Sequence, residues 1–221
     1  MTLRRDAAIV PRIIAPEGHK LIAAVAAVTV LLWLFGAHVL ALLALITTLF
    51  LVYFFRDPDR LTPPGNHLVT APADGKVVTV LERVHEERFL QRECRRVSIF
   101  MSPLDVHVNR IPVEGTVVDV QRRDGRFHAA YLDKSSELNE QTAVLLDDLH
   151  GERVLFVQIA GQLARRIICR LRAGDRVHRG DRYGMIMFGS RLDLYLPLTV
   201  DLSVQVGDHV NGGVTVIGAY R

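Results

Sequence analysis

The sequence predicts a mainly β fold, arranged as a β-sandwich or barrel, that follows an N-terminal apolar helical hairpin. Two observations support this fold class. Residues 21–55 are almost uncharged, and from residue 61 onward short strand-like runs alternate with Gly, Pro and Asp. With 221 residues, the chain is long enough for one globular domain of ordinary size and a short membrane segment. We therefore expect a membrane-associating helical segment at 1–60 and a β-rich domain at 61–221.

The apolar stretch is too long for a single straight span. At 1.5 Å per residue, one helix over residues 21–55 would be roughly 52 Å long, far longer than the hydrocarbon core of a bilayer. Gly-Ala-His at 36–38 divides the stretch into apolar segments at 21–35 and 39–55, which predicts a hairpin. The first segment is short for a full span, which leaves a re-entrant hairpin or one long tilted helix open.

Basic residues lie outside both ends of the apolar stretch, so the positive-inside tendency places both ends on the cytoplasmic side. They are Arg4, Arg5, Arg12 and Lys20 before it, and Arg56 and Arg60 after it. A cleaved signal peptide is disfavoured, because the apolar stretch is too long and no small-residue cleavage site follows it.

Seven strands are predicted in the β-rich domain, each bounded by turn residues. They are 75–81, 96–100, 115–120, 154–159, 167–171, 183–188 and 202–206. A Gly-Asp-x-Val-x-x-Gly word occurs at 174–180 and again at 207–213, which indicates an internal repeat. Residues 130–141 are the one helical or loop excursion, and they end in a polar turn.

The charge balance excludes some function classes. The formal net charge is +3, from 27 Lys and Arg against 24 Asp and Glu, without a long basic run. Nucleic-acid binding is therefore not indicated, whereas a modest basic excess beside an apolar segment suits an anionic membrane surface.

Cys94 and Cys169 lack metal-ligand spacing, so we expect two reduced thiols in a cytosolic compartment and no metal site. Six dispersed histidines also lack ligand spacing and are expected on the surface: His67, His85, His128, His150, His178 and His209.

A Gly-Ser bond at 189–190 follows the apolar run at 183–188, which is typical of a buried strand. The serine hydroxyl can attack the glycine carbonyl, because glycine has no Cβ to block the approach and tolerates strained backbone geometry. Such an attack would cleave the chain. An isolated Gly-Ser pair is more often a plain turn, so the surrounding residues decide the interpretation.

Four longer words give this bond its context. Phe-Arg-Asp-Pro stands at 55–58, Ala-Pro-Ala-Asp-Gly-Lys-Val at 71–77, and Phe-Met-Ser-Pro-Leu-Asp-Val-His-Val-Asn-Arg at 100–110. Residues 179–193 read Arg-Gly-Asp-Arg-Tyr-Gly-Met-Ile-Met-Phe-Gly-Ser-Arg-Leu-Asp. In this order, the words resemble the phosphatidylserine decarboxylases, in particular their short bacterial and archaeal class. The repeated Gly-Asp word resembles the turns of biotinyl and lipoyl barrel-sandwich domains, and we expect that fold after the helical hairpin.

The resemblance implies a carboxy-lyase that converts phosphatidylserine to phosphatidylethanolamine. It also implies self-cleavage between Gly189 and Ser190 and conversion of Ser190 into a covalent pyruvoyl group, an electron sink that replaces pyridoxal phosphate. The products would be a β chain, 1–189, and an α chain, 190–221, held together as a heterodimer and, by analogy with the family, in a homo-oligomer. The expected location is the cytoplasmic face of the cell membrane, where the phospholipid substrate lies.

The resemblance assigns roles to three catalytic residues. Ser190 is the nucleophile of cleavage and, once converted, the carbonyl that forms a Schiff base with the substrate amine. His107 is the candidate acid that delivers a proton after carbon dioxide is lost, with a structural histidine at a strand end as the alternative. Asp74 resembles the aspartate that orients a histidine beside the cleavage serine, although Asp-Gly alone predicts a turn.

The chain departs from the larger family members at 107–110, where they carry His-x-x-His and this chain has His-Val-Asn-Arg. Either His107 therefore serves both cleavage and decarboxylation, or strain and backbone hydrogen bonds promote cleavage. Arg110 is a candidate ligand for the phosphate or carboxylate of the substrate, with a surface salt bridge as the alternative. Arg191 and Asp193 either position the new N-terminus or are solvated charges.

Two other function classes fit parts of the sequence. Gly-Asp-x-Val-x-x-Gly turns also occur in lysostaphin-like zinc endopeptidases, but these need a His-x-His motif that this chain lacks. The second alternative is a membrane-anchored barrel-sandwich adaptor, or a biotin or lipoate carrier. A carrier presents its modified lysine at the tip of a hairpin between two paired strands. This chain has three lysines, and none of them lies in such a hairpin motif: Lys20, Lys76 and Lys134. The adaptor hypothesis requires that residue 190 stays an intact serine.

Overall fold

The computed structural model describes residues 13–125, 139–161, 166–187 and 190–221. The chain divides into two compact units, Met1–Asp59 and Arg60–Arg221. The first unit is helical and the second is built of strands, so the predicted mainly β fold with a helical N-terminus is confirmed.

The first unit is a pair of apolar helices. A 3-10 turn at Pro16–Gly18 leads into α1, His19–Leu34, and α2 follows at His38–Phe54. The chain reverses at Gly36, whose φ of +77° is readily adopted only by glycine. The hydroxyls of Thr29 and Thr48 lie 3.4 Å apart and join the two helices. The predicted break at 36–38 is therefore confirmed.

Most large side chains of this hairpin are apolar and exposed, including Trp33, Leu34 and Phe35. The helical stretch Pro16–Leu34 has 19 residues and a mean hydropathy of 1.5, which is long and apolar enough to cross a membrane. The apolar helix His38–Phe54 is shorter.

The second unit contains fourteen strands within the residues that the structure describes. They are β1 Leu68–Thr70, β2 Gly75–Glu86, β3 Arg92–Met101, β4 Val108–Arg110, β5 Gly115–Arg123, β6 Gln141–Asp148, β7 Arg153–Ala160, β8 Ile167–Cys169, β9 Arg176–Val177, β10 Arg182–Ile186, β11 Ser190–Leu196, β12 Val200–Leu202, β13 His209–Val210 and β14 Val216–Tyr220.

The strands form three antiparallel sheets. The largest has the order β13-β2-β3-β11-β7-β6-β5-β9, and two smaller sheets have the orders β1-β14-β12 and β4-β10-β8. The main apolar core unites side chains of all three sheets, such as Val97, Ile217 and Tyr183. Strand β11 has neighbours on both sides, β3 and β7, and therefore lies inside the largest sheet.

Four of the seven predicted strands lie within observed strands, and three are partly wrong. The strand predicted at 167–171 ends at Cys169, and the strand predicted at 183–188 ends at Ile186, with residue 188 outside the described residues. The predicted strand at 202–206 ends at Leu202, because the following residues turn. In this turn the Gln205 N–H donates to the Asp208 carboxylate at 2.9 Å, and the Asp208 N–H donates to the Gln205 carbonyl at 3.2 Å. Of the predicted excursion at 130–141, residues 130–138 lie outside the described residues, and Gln141 begins β6.

Two segments repeat in sequence and in structure. Residues 71–78, Ala-Pro-Ala-Asp-Gly-Lys-Val-Val, correspond to 111–118, Ile-Pro-Val-Glu-Gly-Thr-Val-Val. Each strand bulges just after the first valine of its Val-Val pair. Each of those valines exchanges two backbone hydrogen bonds with a Gly-Asp word, Val77 with 207–208 and Val117 with 174–175, all at 2.8–2.9 Å. We call 71–78 with 207–213 the first repeat, and 111–118 with 174–180 the second repeat.

The two repeats are tied together at their prolines. The Arg110 N–H donates to the Pro72 carbonyl at 2.8 Å, and the Thr70 N–H donates to the Pro112 carbonyl at 3.0 Å. Asp74 of the first repeat and Glu114 of the second therefore occupy equivalent positions, each just before the glycine that opens a long strand.

Candidate active site

Ser190 is the first residue of β11 and is fully buried. It pairs with Met101 on β3 and with Ala160 on β7, and its hydroxyl donates to the Met101 sulfur at 3.7 Å. Because side chains alternate along a strand, Ser190 shares the face of Leu192 that points into the main core. The interpretation of Ser190 as a surface turn residue is therefore wrong. Gly189, the other half of the predicted cleavage site, lies outside the described residues.

His107 is buried at the end of the loop that joins β3 to β4. The loop is fixed by a tight turn in which the Asp105 carboxylate accepts hydrogen bonds from the N–H and the hydroxyl of Ser102, both at 2.7 Å. The Nδ1 atom of His107 lies 2.9 Å from the Asp105 carbonyl oxygen. A carbonyl oxygen only accepts, so Nδ1 carries the proton and Nε2 is the basic nitrogen of the neutral ring.

Asp74 is held on both carboxylate oxygens. Arg60 donates to Oδ1 through Nη1 and to Oδ2 through Nη2, the latter at 2.7 Å. The Gly212 N–H also donates to Oδ1 at 2.8 Å. The next residue, Gly75, has no room for a side chain, because a Cβ would lie 2.1 Å from the Phe100 carbonyl oxygen. Asp74 therefore stands at the end of β3 from which the chain continues to His107.

Arg110 is the last residue of β4, three residues after His107. Its side chain is buried, with the residue only 4% exposed, so its interpretation as a surface salt-bridge residue is wrong. Its Nη1 donates to the Gly180 carbonyl at 3.0 Å, and its Cδ lies beside Gly213. Arg110 thus contacts the last glycine of both Gly-Asp words, and Gly213 adjoins the Gly212 that binds Asp74.

Two amide side chains close to Ser190 were missed by the sequence analysis. Gln158 donates through Nε2 to Asn109 Oδ1 at 2.8 Å, and Asn109 donates through Nδ2 to the Met101 sulfur at 3.6 Å. Gln158, Asn109 and Met101 are all fully buried. The signal that could have found Gln158 is a polar residue inside the apolar run 154–160, since a buried amide needs a partner.

Arg191 and Asp193 form a buried ion pair on the opposite face of β11. The Arg191 Nε lies 2.8 Å from Asp193 Oδ1, its Nη2 donates to Oδ2 at 2.8 Å, and both side chains are 1% exposed. Their interpretation as solvated charges is therefore wrong. The pair fixes the strand that begins with Ser190.

Tyr183 on β10 and Cys169 on β8 lie on paired strands of the sheet β4-β10-β8. Burial raises the pKa of the Tyr183 hydroxyl well above its ordinary value, and burial also raises the pKa of the Cys169 thiol. Both groups are therefore protonated at neutral pH, and neither is an activated nucleophile.

The other histidines within the described ranges are far less buried than His107. His67, His85, His150, His178 and His209 are exposed, as predicted, and His128 lies outside the described residues. Across the described ranges, no group of three or more His, Cys, Asp or Glu side chains could hold a metal ion.

The chain is similar to known proteins along almost its whole length. A family model described as phosphatidylserine decarboxylase matches residues 47–218. Three similar curated proteins are each named phosphatidylserine decarboxylase proenzyme. The protein of Syntrophotalea carbinolica is 48% identical over 93% of this chain and 95% of its own length. The protein of Syntrophus aciditrophicus is 44% identical over 94% of this chain and 97% of its own length. The protein of Rickettsia bellii is 44% identical over 95% of this chain and 91% of its own length.

Proposed function

The chain belongs to the phosphatidylserine decarboxylase family, and we propose from this membership and from the buried site that it cleaves itself between Gly189 and Ser190 to become active. Its enzymatic function is the decarboxylation of phosphatidylserine, with self-processing of a proenzyme. Loss of carbon dioxide from the serine headgroup leaves phosphatidylethanolamine. The alternative of a non-catalytic adaptor or carrier is not favoured by this family membership.

The proposed cleavage at this bond is supported most directly by one observation: Ser190 is buried at the start of an internal strand. A serine that only formed a turn would be expected at the surface, in contact with water. Here its hydroxyl is directed to a thioether sulfur, a weak and non-basic acceptor that orients the hydroxyl without binding it strongly.

The residues around Ser190 fit its conversion into a pyruvoyl group. Met101 and Ala160, its neighbours on both sides in the sheet, are fully buried, so a carbonyl at residue 190 would be shielded from bulk water. The pyruvoyl group supplies an electron-withdrawing carbonyl that takes up the charge left behind when the substrate loses carbon dioxide.

We assign the proton transfers to His107. Its Nε2 is the basic nitrogen, because the Asp105 carbonyl holds the proton on Nδ1. At this atom the ring can accept the Ser190 hydroxyl proton during cleavage and later deliver a proton to the substrate. Asp74 is proposed to stabilise the positive charge that this ring gains when Nε2 takes up a proton. Arg110, anchored on the Gly180 carbonyl, is proposed to bind the phosphate or carboxylate of the substrate.

The two chains that result are proposed to stay in one fold as a heterodimer. The α chain, 190–221, contributes β11 between β3 and β7, β13 beside β2, and β14 beside β1. Every one of these neighbours belongs to the β chain, 1–189. Assembly of such heterodimers into a homo-oligomer rests on the family resemblance.

The apolar hairpin is proposed to bind the membrane at its cytoplasmic face. Helices α1 and α2 expose apolar side chains, and basic residues flank both ends. Lifting a two-chain lipid out of a bilayer costs about 0.8 kcal/mol for each exposed CH₂. An enzyme anchored at the headgroup plane makes that extraction unnecessary.

Intact mass spectrometry of the purified protein tests this proposal, with Ser190→Ala as the matched variant. We expect two chains separated between residues 189 and 190, the smaller one beginning with a pyruvoyl group, and one uncut chain from the variant. A folded wild-type chain that stays uncut, with an ordinary serine at 190, would contradict the proposal and favour the adaptor.

A further inference from the structure

A buried ion pair holds Asp74 within the candidate active site. The side chains of Arg60 and Asp74 are only 11% and 8% exposed. The same Arg60 Nη1 also donates to the Gly212 carbonyl at 2.7 Å, while the Gly212 N–H donates to Asp74 at 2.8 Å. Arg60, Asp74 and Gly212 therefore form a closed triangle of hydrogen bonds.

The second repeat shows that the fold does not require such a pair. Glu114, equivalent to Asp74, has a side chain that is 42% exposed, and the nearest nitrogen of His178 lies 3.8 Å from it. Burying two charges is costly even when they are paired, and apolar side chains could fill the same space more stably. The pair at Asp74 is therefore better explained by the site beside it than by the architecture of the repeats.

We infer that Arg60 is a positioning residue that sets the orientation of the Asp74 carboxylate. The inference rests on the proposed function, in which the Asp74 carboxylate stabilises the charge that His107 gains during self-cleavage. Two parallel hydrogen bonds from a planar guanidinium fix both the place and the plane of a carboxylate. Lysine, with a single ammonium group, fixes the place but not the plane.

Arg60 has a second structural contribution that the experiment must separate from the first. It begins the segment 60–68, which runs over both repeats. Arg179 anchors the same segment by donating to the carbonyls of Pro63, Gly65 and Leu68 at 2.5–2.6 Å. None of these three bonds involves Asp74. Replacing Arg179 therefore removes an arginine that anchors the segment and leaves the bonds of Asp74 in place, which makes it the matched control.

The test compares rates of self-cleavage in the full-length chain, made by cell-free synthesis in detergent and followed on denaturing gels. We expect Arg60→Met to slow cleavage roughly 100-fold, the loss that a misplacement of about 1 Å causes in a catalytic geometry. Arg60→Lys should fall between this variant and wild type. Arg179→Met should stay within about twofold of wild type, the scatter of independent effects.

A double variant separates positioning from folding. In the slowly cleaving Asp74→Asn chain, adding Arg60→Met should change the rate by no more than about twofold, because no carboxylate is left to orient. If Arg60→Met folds poorly, Arg60→Ala with added methylguanidine provides the second measurement, and cleavage should recover as the guanidinium refills the site.

The outcomes are distinct. Equal slowing by Arg60→Met and Arg179→Met, additive effects of Arg60→Met and Asp74→Asn, or no recovery with methylguanidine would each overturn the inference. A wild-type chain that cleaves between residues 189 and 190 in the same assay upholds the proposed function in all of these cases. Failure of wild-type cleavage would instead reject the proposed function itself.

Discussion

The Met101 sulfur lies 3.7 Å from the Ser190 hydroxyl oxygen, across the register pair that joins β3 to β11. The same sulfur accepts from Asn109 Nδ2 at 3.6 Å. A thioether thus connects the proposed nucleophile to the buried amide pair behind it. Neither of these contacts involves a group that titrates near neutral pH.

Replacing this sulfur should slow self-cleavage without unfolding the protein. Met101→Leu conserves volume but leaves the buried Asn109 Nδ2 without its acceptor, so it should cost about 1–3 kcal/mol of stability. Loss of one hydrogen bond of 0.5–1.5 kcal/mol corresponds to cleavage that is roughly 2- to 10-fold slower. The measurement is the time course of chain separation on denaturing gels. Met185→Leu, a buried methionine on β10, is the control and should cleave normally; equal slowing in both variants would assign the effect to packing.

Removing the Gln158 amide should destabilise the fold. Gln158→Leu leaves Asn109 Oδ1 without the bond that Gln158 donates at 2.8 Å, and an unsatisfied buried acceptor costs about 1–3 kcal/mol. Urea unfolding in the uncut Ser190→Ala chain measures the difference. The exposed Gln205→Leu serves as the control, with an expected change within about 0.5 kcal/mol. A Gln158→Leu chain as stable as its parent would show that this amide pair is dispensable.

A hydrogen bond from Tyr220 to the Asp148 carboxylate should help to hold β14, the last strand of the α chain, against the β chain. The Tyr220 hydroxyl donates to Asp148, and burial followed by this bond raises the pKa of Tyr220. Tyr220→Phe keeps the ring that stacks on His150 at 4.1 Å but loses the bond, which is worth roughly 2 kcal/mol when the acceptor is charged. The processed variant should therefore release its α chain at a lower urea concentration than the processed wild type.

The matched control for this prediction is Arg221→Gln, which breaks a pair with Asp201 whose side chains are 64% and 58% exposed. Exposed pairs contribute little, so the urea concentration at which the α chain leaves should hardly change. Equal shifts for Tyr220→Phe and Arg221→Gln would count against the bond to Asp148.

Alkaline pH should destabilise the protein through Cys94. Burial raises the pKa of this thiol from 9.0 to about 11. Above pH 9 the unfolded chain loses the thiol proton while the folded chain keeps it, so stability falls as pH rises towards 11 and this loss is absent below pH 9. Cys94→Ala should show a smaller decline in urea midpoint between pH 8.5 and 10.5. Parallel curves for the variant and the wild type would contradict this assignment.

The fold was predictable where local patterns suffice. The break at 36–38 and strands such as β2, β5 and β7 follow from apolar periodicity and turn residues. Strand β11 was missed because Arg191 and Asp193 make its sequence look solvated. The two charges pair with each other inside the protein, which only the assembled sheet shows.

The candidate residues of the site could be predicted from sequence words, but the hydrogen bonds that hold them could not. Ser190, His107 and Asp74 were named from the family resemblance, and their assigned roles stay predictions. Asn109 and Gln158 are 49 residues apart, and Asp74 and Gly212 are 138 apart. Such contacts depend on the register of strands that are distant in sequence, which no local pattern specifies.

The position of β11 also bears on when this protein becomes active during its synthesis. A ribosome makes β3 and β7 long before residues 190–221, so the strand between them is still missing when most of the fold has emerged. Strands β13 and β14, which complete the first repeat and the sheet of β1, are made later still. Completion of the largest sheet, and with it self-processing of the proenzyme, therefore waits for the last segment of the chain, and a polypeptide that ends before this segment lacks β11 altogether.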